Sequence, residues 1–472
     1  MKKFKKTLAL SLAFAMGLSL VACGKDKDDE DDDKSTEPAS SQDASSGDAS
    51  SEDKPDESTG IEAPSTDGWD SSKKIYCPSW DDDFSKKIGV VLEAYPQYKD
   101  YVELEVYGVS GTDDDYKQNI DDALANGGDK YPSIIPADND VAKYWSESDA
   151  TMNIYDLGIT DAMLSNAYDF AIQYGTYGDE LKAVTWQACP GSIFYRRDIA
   201  KEVFGTDDPD AIQKELASWD KFFAAADKLK EKNYKIVSGP NEIKYAVWDT
   251  QTQPWVTVAD DGSETLTLDD TVSTYLDLAK KLYDGGYTNL NDSWSEGWTA
   301  SMADDGDVFC YFGCPWFIGC MGNATAGNWG AVVGPTSYHW GGTYLMVGKD
   351  TPNPELVAFL LYELTCDPEI AIEITNKYGD CCNNKEANER LVNGELASDN
   401  TALAFLGGQN PFEVWASAAE GINLSNVTYM DSVIKGYIDE ASKAYNEGTY
   451  ATVDDAVAYI ETKMADEQGI SK

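Results

Sequence analysis

Histidine and positive charge are scarce in this chain, and both shortages exclude classes of function. The 472 residues include one histidine, His339, and 37 Lys and Arg stand against 84 Asp and Glu, for a formal net charge of -47. A strongly acidic surface repels phosphate backbones, so we expect no nucleic-acid partner. A single histidine speaks against a Ser-His-Asp triad, and the chain has neither a Gly-x-Ser-x-Gly elbow nor a glycine-rich phosphate loop.

The nine cysteines lack the spacing of a disulfide framework or of a zinc site. Cys381 and Cys382 are adjacent and Cys314 lies near Cys320, yet no histidines accompany either pair. The Asp run that begins at Asp113 also lacks the twelve-residue calcium-loop pattern. We therefore predict no metal and no cofactor, and the pairing of the cysteines stays open.

The apolar run at the N terminus is typical of an export signal. Four lysines among the first six residues precede an apolar stretch from Thr7 to Leu18, which is too short to span a membrane stably. Leu20-Val21-Ala22-Cys23 then matches the bacterial lipobox, in which the cysteine becomes lipid-modified. We predict a lipoprotein signal peptide over residues 1–23 and an anchor on Cys23. The mature chain would then lie outside the cell, on the outer face of the bacterial cytoplasmic membrane.

Residues 24–72 are rich in Asp, Glu, Ser and Gly and contain almost nothing apolar. Such a composition cannot bury enough surface to offset the entropy lost on ordering. We therefore predict a disordered acidic tether that ends where the first apolar strand pattern begins, at Lys73.

From Lys73 the chain alternates strand and helix patterns. Strands are predicted at 73–78, 102–106 and 133–135, with helices between them that end before Pro96 and at Gly127. This βαβαβ order predicts a parallel sheet flanked by helices. The alternation starts again after Trp186, with a strand predicted at 236–238, so the pattern predicts a second α/β unit.

The start of the second unit carries a family resemblance. A Trp-Gln-x-x-Pro-Gly turn at 186–191 is followed by an apolar strand ending in Tyr-Arg-Arg-Asp at 195–198, and later by a Gly-x-Pro-Trp turn at 313–316. These motifs resemble the family 1 extracellular solute-binding proteins, which are similar in build to maltose-binding protein and capture carbohydrate for ABC importers. The resemblance implies an α/β fold of the periplasmic-binding-protein type II, with two lobes joined by a hinge.

The resemblance also implies how the lobes share the chain. The first lobe would comprise residues 73–187 plus about 344–398, and the second residues 188–343 plus about 399–472. Several crossings between lobes form a hinge that bends without unfolding either lobe. The expected partners are the membrane permease subunits of an ABC transporter, and the binding protein itself is expected to be a monomer.

Aromatic and acidic residues gather at the predicted strand ends and loops, where open α/β sheets bind ligands. The flat apolar face of a pyranose packs on an aromatic ring, while its hydroxyls bond carboxylates and amides. Few Arg or Lys lie near these positions, so we predict a neutral oligosaccharide. The predicted ligand-binding residues are Trp80, Asp81, Asp82, Asp138, Asn139, Asp140, Trp186, Gln187, Trp255, Trp316, Trp340 and Trp415.

Three alternatives remain open from the sequence. A glycoside hydrolase would also place carboxylates in a tryptophan-rich cleft, but no eightfold strand-helix repeat is present, and we predict that the protein is not an enzyme. A surface glycan-binding lipoprotein without a transport role would have the same sequence features. A binding protein for peptides or amino acids would need a fixed countercharge in its cleft.

Overall fold

The structure is a computed structural model, and it describes residues 60–472. The predicted signal peptide, the anchor at Cys23 and the tether as far as residue 59 lie outside the described residues. Among residues 60–472, no helix is both long and apolar enough to cross a bilayer.

Residues 60–472 contain eleven β-strands and seventeen α-helices. The strands are β1 (Ile75–Ser79), β2 (Val102–Val106), β3 (Ile134–Asp138), β4 (Thr176–Tyr177), β5 (Glu180–Leu181), β6 (Ser192–Arg196), β7 (Val256–Val258), β8 (Glu264–Leu266), β9 (Cys310–Gly313), β10 (Trp329–Val332) and β11 (Thr343–Val347). The α-helices are α1 (Asp83–Ala94), α2 (Asp114–Asn126), α3 (Asn139–Ser146), α4 (Asp169–Gly175), α5 (Arg197–Phe204), α6 (Pro209–Leu216), α7 (Trp219–Glu231), α8 (Lys244–Trp248), α9 (Asp270–Gly285), α10 (Glu296–Ala300), α11 (Pro354–Thr365), α12 (Pro368–Tyr378), α13 (Lys385–Arg390), α14 (Thr401–Phe405), α15 (Phe412–Glu420), α16 (Asp431–Asn446) and α17 (Val453–Lys463).

The first sheet has the predicted βαβαβ opening. β1 pairs with β2 in parallel, and a parallel bridge between Tyr76 and Pro132 brings the start of β3 to the other side of β1. β11 returns from far along the chain and pairs with β3 in antiparallel register, from Thr343 opposite Asp138 to Val347 opposite Ile134. Every residue of β1 and β11 is buried, which explains their nearly continuous apolar sequences.

The second sheet is antiparallel, in the strand order β10-β6-β9. A strand was predicted at 236–238, and this prediction is wrong: the segment forms a single bridge, between Lys235 and Val308. The Ile236 N–H donates to the Tyr287 carbonyl and the Ile236 carbonyl accepts from the Cys310 N–H, both at 3.0 Å, and the chain then enters a short 3-10 helix at Pro240. Proline has no N–H to donate, so the strand cannot extend further.

The two segments where the chain passes between the sheets lie side by side. Pro190 and His339 form an antiparallel bridge, and the Gly191 N–H donates to the Tyr338 carbonyl at 2.6 Å. The Trp340 N–H donates to the Cys189 carbonyl at 3.2 Å. The connection between the sheets is therefore a pair of chain segments joined by backbone hydrogen bonds.

Buried side chains form three cores. A first core packs the first sheet against α1 and α11, a second core packs the second sheet against α7, α9 and α16, and a central core lies between the inner faces of both sheets. Representative members of the central core are Trp80, Phe194, Trp298, Trp329 and Trp415.

Part of the predicted tether belongs to the folded body. The Trp69 ring packs edge-on against Tyr101 with ring centroids 5.2 Å apart, and the Tyr98 hydroxyl donates to the Pro64 carbonyl at 2.7 Å. Residues 60–72 therefore do not continue the tether as predicted, because Ile61 and Trp69 supply apolar surface that packs on the first core.

Candidate functional site

Three carboxylates meet where β1 and β3 end. Asp81 follows β1, and Asp138 closes β3 and caps α3, accepting a hydrogen bond from the Asp140 N–H at 2.9 Å. A loop passes close over them at Gly111, where an added Cβ would lie 3.0 Å from both the Asp138 Cβ and the Trp80 ring. We call Asp81, Asp138 and Asp140 the acidic edge.

Burial disfavours the ionised forms of Asp81 and Asp138. Burial raises the pKa of Asp138 to about 7, and the neighbouring charges of Asp140 and Asp81 add to the effect. Burial also raises the pKa of Asp81. Hydroxyl donors of a ligand would stabilise the ionised carboxylates, because hydrogen bonds to the charged form favour it.

Four aromatic rings form an exposed or half-buried group, which we call the aromatic platform: Tyr245, Trp294, Trp316 and Trp340. Trp340 stacks on Tyr245 with centroids 4.9 Å apart and meets Trp316 edge-on at 5.2 Å. Trp294 lies nearly parallel to Trp316, with a centroid distance of 6.2 Å and an interplanar angle of 13°. Such rings can offer a flat apolar surface to a sugar.

Trp294 has two unusual properties for a bulky residue. Its φ of 71° lies in the left-handed region, which side chains of this size rarely adopt, and 51% of its surface is exposed. A strained backbone that presents a large apolar ring to solvent is characteristic of binding sites. Sequence reasoning missed this residue, although its place in the polar stretch Asn291-Asp292-Ser293-Trp294-Ser295 was a signal.

A buried carboxyl supports the platform from behind. Glu242 accepts hydrogen bonds from the Trp298 indole N–H and, at 3.4 Å, from the Phe312 N–H. Trp298 in turn packs against Trp294 with centroids 5.0 Å apart. Burial raises the pKa of Glu242 to about 8.

This carboxyl should make stability depend on pH. The folded pKa of about 8 lies above the ordinary 4.5, so the folded state keeps a proton that the unfolded state releases. The free energy of unfolding should therefore fall as pH rises from about 5 to 8, by about 3 to 4 kcal/mol from this group. Urea unfolding measured across that pH range should show a smaller decrease in the free energy of unfolding for Glu242→Gln than for the wild type. An equal decrease in both proteins would remove Glu242 as the cause.

The platform and the acidic edge are neighbours. The Asn139 N–H donates to the Gly342 carbonyl at 2.9 Å, two residues from Trp340. A Cβ at Gly341 would lie 3.3 Å from the Trp316 ring, so the chain passes directly along that indole. Burial raises the pKa of Tyr245, and the charge of Asp140 contributes. Flat apolar surface and hydrogen-bond acceptors thus lie together, although they come from opposite sides of the fold.

A match to a known protein family identifies the family of this chain. The family described as bacterial extracellular solute-binding protein matches residues 91–404, well over half of the chain. The chain belongs to this family. The family consists of binding proteins and not of enzymes, as the sequence predicted. No curated sequence matches the chain.

Solved structures show that this solute-binding protein has the predicted two-lobed α/β fold. A family 1 extracellular solute-binding protein aligns with a TM-score of 0.68 at 19% identity, covering 82% of this chain and 97% of that one. The galacto-N-biose-/lacto-N-biose I-binding protein of Bifidobacterium longum, in complex with lacto-N-biose, aligns with a TM-score of 0.64 at 14% identity, covering 84% and 98%. An ABC-transporter-associated binding protein of B. animalis subsp. lactis, in complex with beta-1,6-galactobiose, aligns with a TM-score of 0.61 at 20% identity, covering 84% and 99%.

The structure of the solute-binding protein brings together half of the predicted site residues. Asp81, Asp138, Asn139, Asp140, Trp316 and Trp340 lie at the acidic edge or the platform. Trp80 lies beside them, but it is 8% exposed and its ring packs edge-on against Tyr116.

The other predicted residues lie apart from this group. Trp186 and Gln187 are buried in the crossing segment. The Trp186 ring packs on Phe84, and the Gln187 backbone forms an antiparallel β-bridge with Cys382. Trp255 is buried in the second core and donates its indole N–H to Asp269 at 3.1 Å. That bond gives the ring a structural role, because Asp269 also caps α9.

Two predicted residues have different surroundings again. Asp82 is exposed and pairs with Lys86 at 2.7 Å, one helical turn further on. Trp415 is fully buried in the central core, edge-on to Phe412 at 5.2 Å. Neither side chain faces the platform in this conformation.

A cavity of about 310 Å³ adjoins the acidic edge between α3 and the start of α16. Its walls include Asn139, Asp140 and residues that the sequence did not single out: Lys117, Lys143, Tyr174, Tyr429, Asp431 and Lys435. A larger cavity of about 540 Å³ lies among α9 and α16, and its walls include Asp292, two residues before Trp294. Within residues 60–472, no group of His, Cys, Asp and Glu has the geometry to hold a metal ion.

Proposed function

We propose that this solute-binding protein captures a carbohydrate between its lobes, on the aromatic platform and against the acidic edge. The observation that carries the proposal is the exposed Trp294 ring, held nearly parallel to Trp316, whose indole lies against the Gly341–Gly342 segment that bonds Asn139. A sugar matches such a surface, because its C–H face packs on indole while its hydroxyls donate to carboxylates.

The fold supports an oligosaccharide as the ligand. The similar proteins of Bifidobacterium longum and B. animalis subsp. lactis are described in complex with lacto-N-biose and beta-1,6-galactobiose, which are both disaccharides. We extend this to the present chain as a proposal, with a ligand of at least two sugar units. The hydroxyls of the second unit would reach the cavity next to the acidic edge.

Capture would proceed by closure of the hinge. The paired crossing segments around Pro190 and His339 would bend, and the first lobe (73–187 plus about 344–398) would close on the second (188–343 plus about 399–472). The ligand must contact both lobes, because equal affinity for open and closed forms would shift no population. The closed form would then deliver the sugar to ABC transporter permease subunits, while Cys23 anchors the protein to the membrane.

Isothermal titration calorimetry of the full-length protein tests the proposal. The panel should contain neutral disaccharides and trisaccharides, with amino acids and short peptides as controls. We expect micromolar affinity for one sugar class and an intact glycan afterwards. Binding of a peptide with no response to any sugar would overturn the carbohydrate assignment, while the solute-binding fold would remain.

A further inference from the structure

Three lysines surround the cavity beside the acidic edge, in a chain whose acidic residues far outnumber its basic ones. Lys117 extends from α2, Lys143 from α3 and Lys435 from α16. Asp140 and Asp431 share these walls, so the cavity contains charges of both signs.

Two of these lysines, Lys117 and Lys143, form no ion pair with a carboxylate among residues 60–472. The Lys117 ammonium lies over the Tyr144 ring, 3.6 Å from its centroid. The Lys143 ammonium donates to the Thr176 carbonyl at 3.3 Å and lies over the Tyr174 ring, while only 8% of the residue is exposed. Burial lowers the pKa of Lys143, although the charges of Glu147 and Asp431 act in the opposite direction. Lys435 lies 3.8 Å from the Asp249 carboxylate, and its charge also acts on Asp431.

The same walls hold oxygens without donors. Asn139 Oδ1 and Asp431 Oδ2 are buried and have no hydrogen-bond partner within the described part of the chain. Unpaired buried acceptors cost free energy, so both would gain from a hydroxyl that donates to them. Each of α3 and α16 contributes both a lysine and an aspartate to these walls, so a sugar unit with a carboxylate and hydroxyl donors meets a partner for each group.

We propose that this cavity receives a sugar unit bearing a carboxylate, so that the ligand is an acidic oligosaccharide of the uronic acid type. The carboxylate lies between Lys117 and Lys143, and the hydroxyls of the same unit donate to Asn139 and Asp431. This inference rests on the proposed function and changes its substrate class, because the scarcity of Lys near the strand ends predicted a neutral ligand. The three lysines lie far apart in sequence, and only the fold brings them to one cavity.

A matched pair of ligands tests the inference: trigalacturonate and its fully methyl-esterified form, titrated into the full-length protein. The two differ in charge but share the glycan. We expect the free acid to bind at least tenfold more tightly, with an advantage that shrinks as salt is raised. Lys117→Gln should weaken binding of the acid three- to tenfold and leave binding of the ester unchanged.

Lys281→Gln is the control, because the Lys281 ammonium also lies over an aromatic ring, 3.8 Å from the Phe223 centroid, but on α9. It should change neither affinity. Tighter or equal binding of the ester would overturn the inference, and so would the failure of both forms to bind. The neutral panel described above separates the two proposals: binding of neutral sugars alone would keep the proposed function and reject the acidic ligand.

Discussion

Trp294→Ala should weaken carbohydrate binding by about 1 to 3 kcal/mol, which is roughly a 5- to 150-fold loss of affinity. The ring is half-exposed and strained at φ 71°, so its removal deprives the sugar of stacking surface without opening a core. Calorimetry of wild type and variant with the same glycan gives the difference directly. The melting temperature should change little, because exposed side chains contribute little to stability.

Trp219→Ala provides the matched control. Trp219 stacks on Phe312 with centroids 6.2 Å apart and an interplanar angle of 14°, nearly the geometry of Trp294 on Trp316, but within the second core. This variant should lose stability and keep its affinity per folded molecule. Trp294→Gly should bind as weakly as the alanine variant while relieving the backbone, because glycine tolerates positive φ. Unchanged affinity in both Trp294 variants would remove this ring from the site.

Trp415→Ala should lower the free energy of unfolding by about 3 to 5 kcal/mol, the usual cost of truncating a buried tryptophan. The ring is fully buried in the central core, edge-on to Phe412, on a helix that packs against β6 and α13. Removing it leaves a cavity where both sheets meet. Urea or thermal unfolding measures the loss.

Trp415→Phe separates packing from ligand contact. Phenylalanine keeps most of the apolar volume and removes an indole N–H that has no hydrogen-bond partner within residues 60–472. The variant should therefore lose about 1 kcal/mol of stability and retain its sugar affinity. If Trp415→Phe loses sugar affinity while its stability is unchanged, the sequence-based assignment of Trp415 to the ligand is right. The Trp415 ring then leaves its buried position in an open conformation of the protein.

The charge of the ligand is the point on which sequence and structure lead to different proposals. Along the chain, Lys117, Lys143 and Lys435 belong to three separate helices, and only Lys143 lies near a strand end. In the fold, the first turns of α2 and α16 meet α3 at one cavity. Charge near a site is a property of tertiary neighbours, so a count of residues along each strand end could not reveal it.

The sequence by itself determined the succession of elements and the family. Apolar periodicity and capping residues are local, so α1 ends before Pro96 and α2 ends at Gly127 as predicted. The acidic edge was also predictable, because carboxylates that follow parallel strands meet at one edge of the sheet. Tertiary structure alone decided which tryptophans are exposed. Trp255 and Trp294 both lie in loops and Trp415 lies in α15, yet packing buries Trp255 and Trp415 and leaves Trp294 exposed. Burial depends on contacts between distant segments, and no local pattern encodes these.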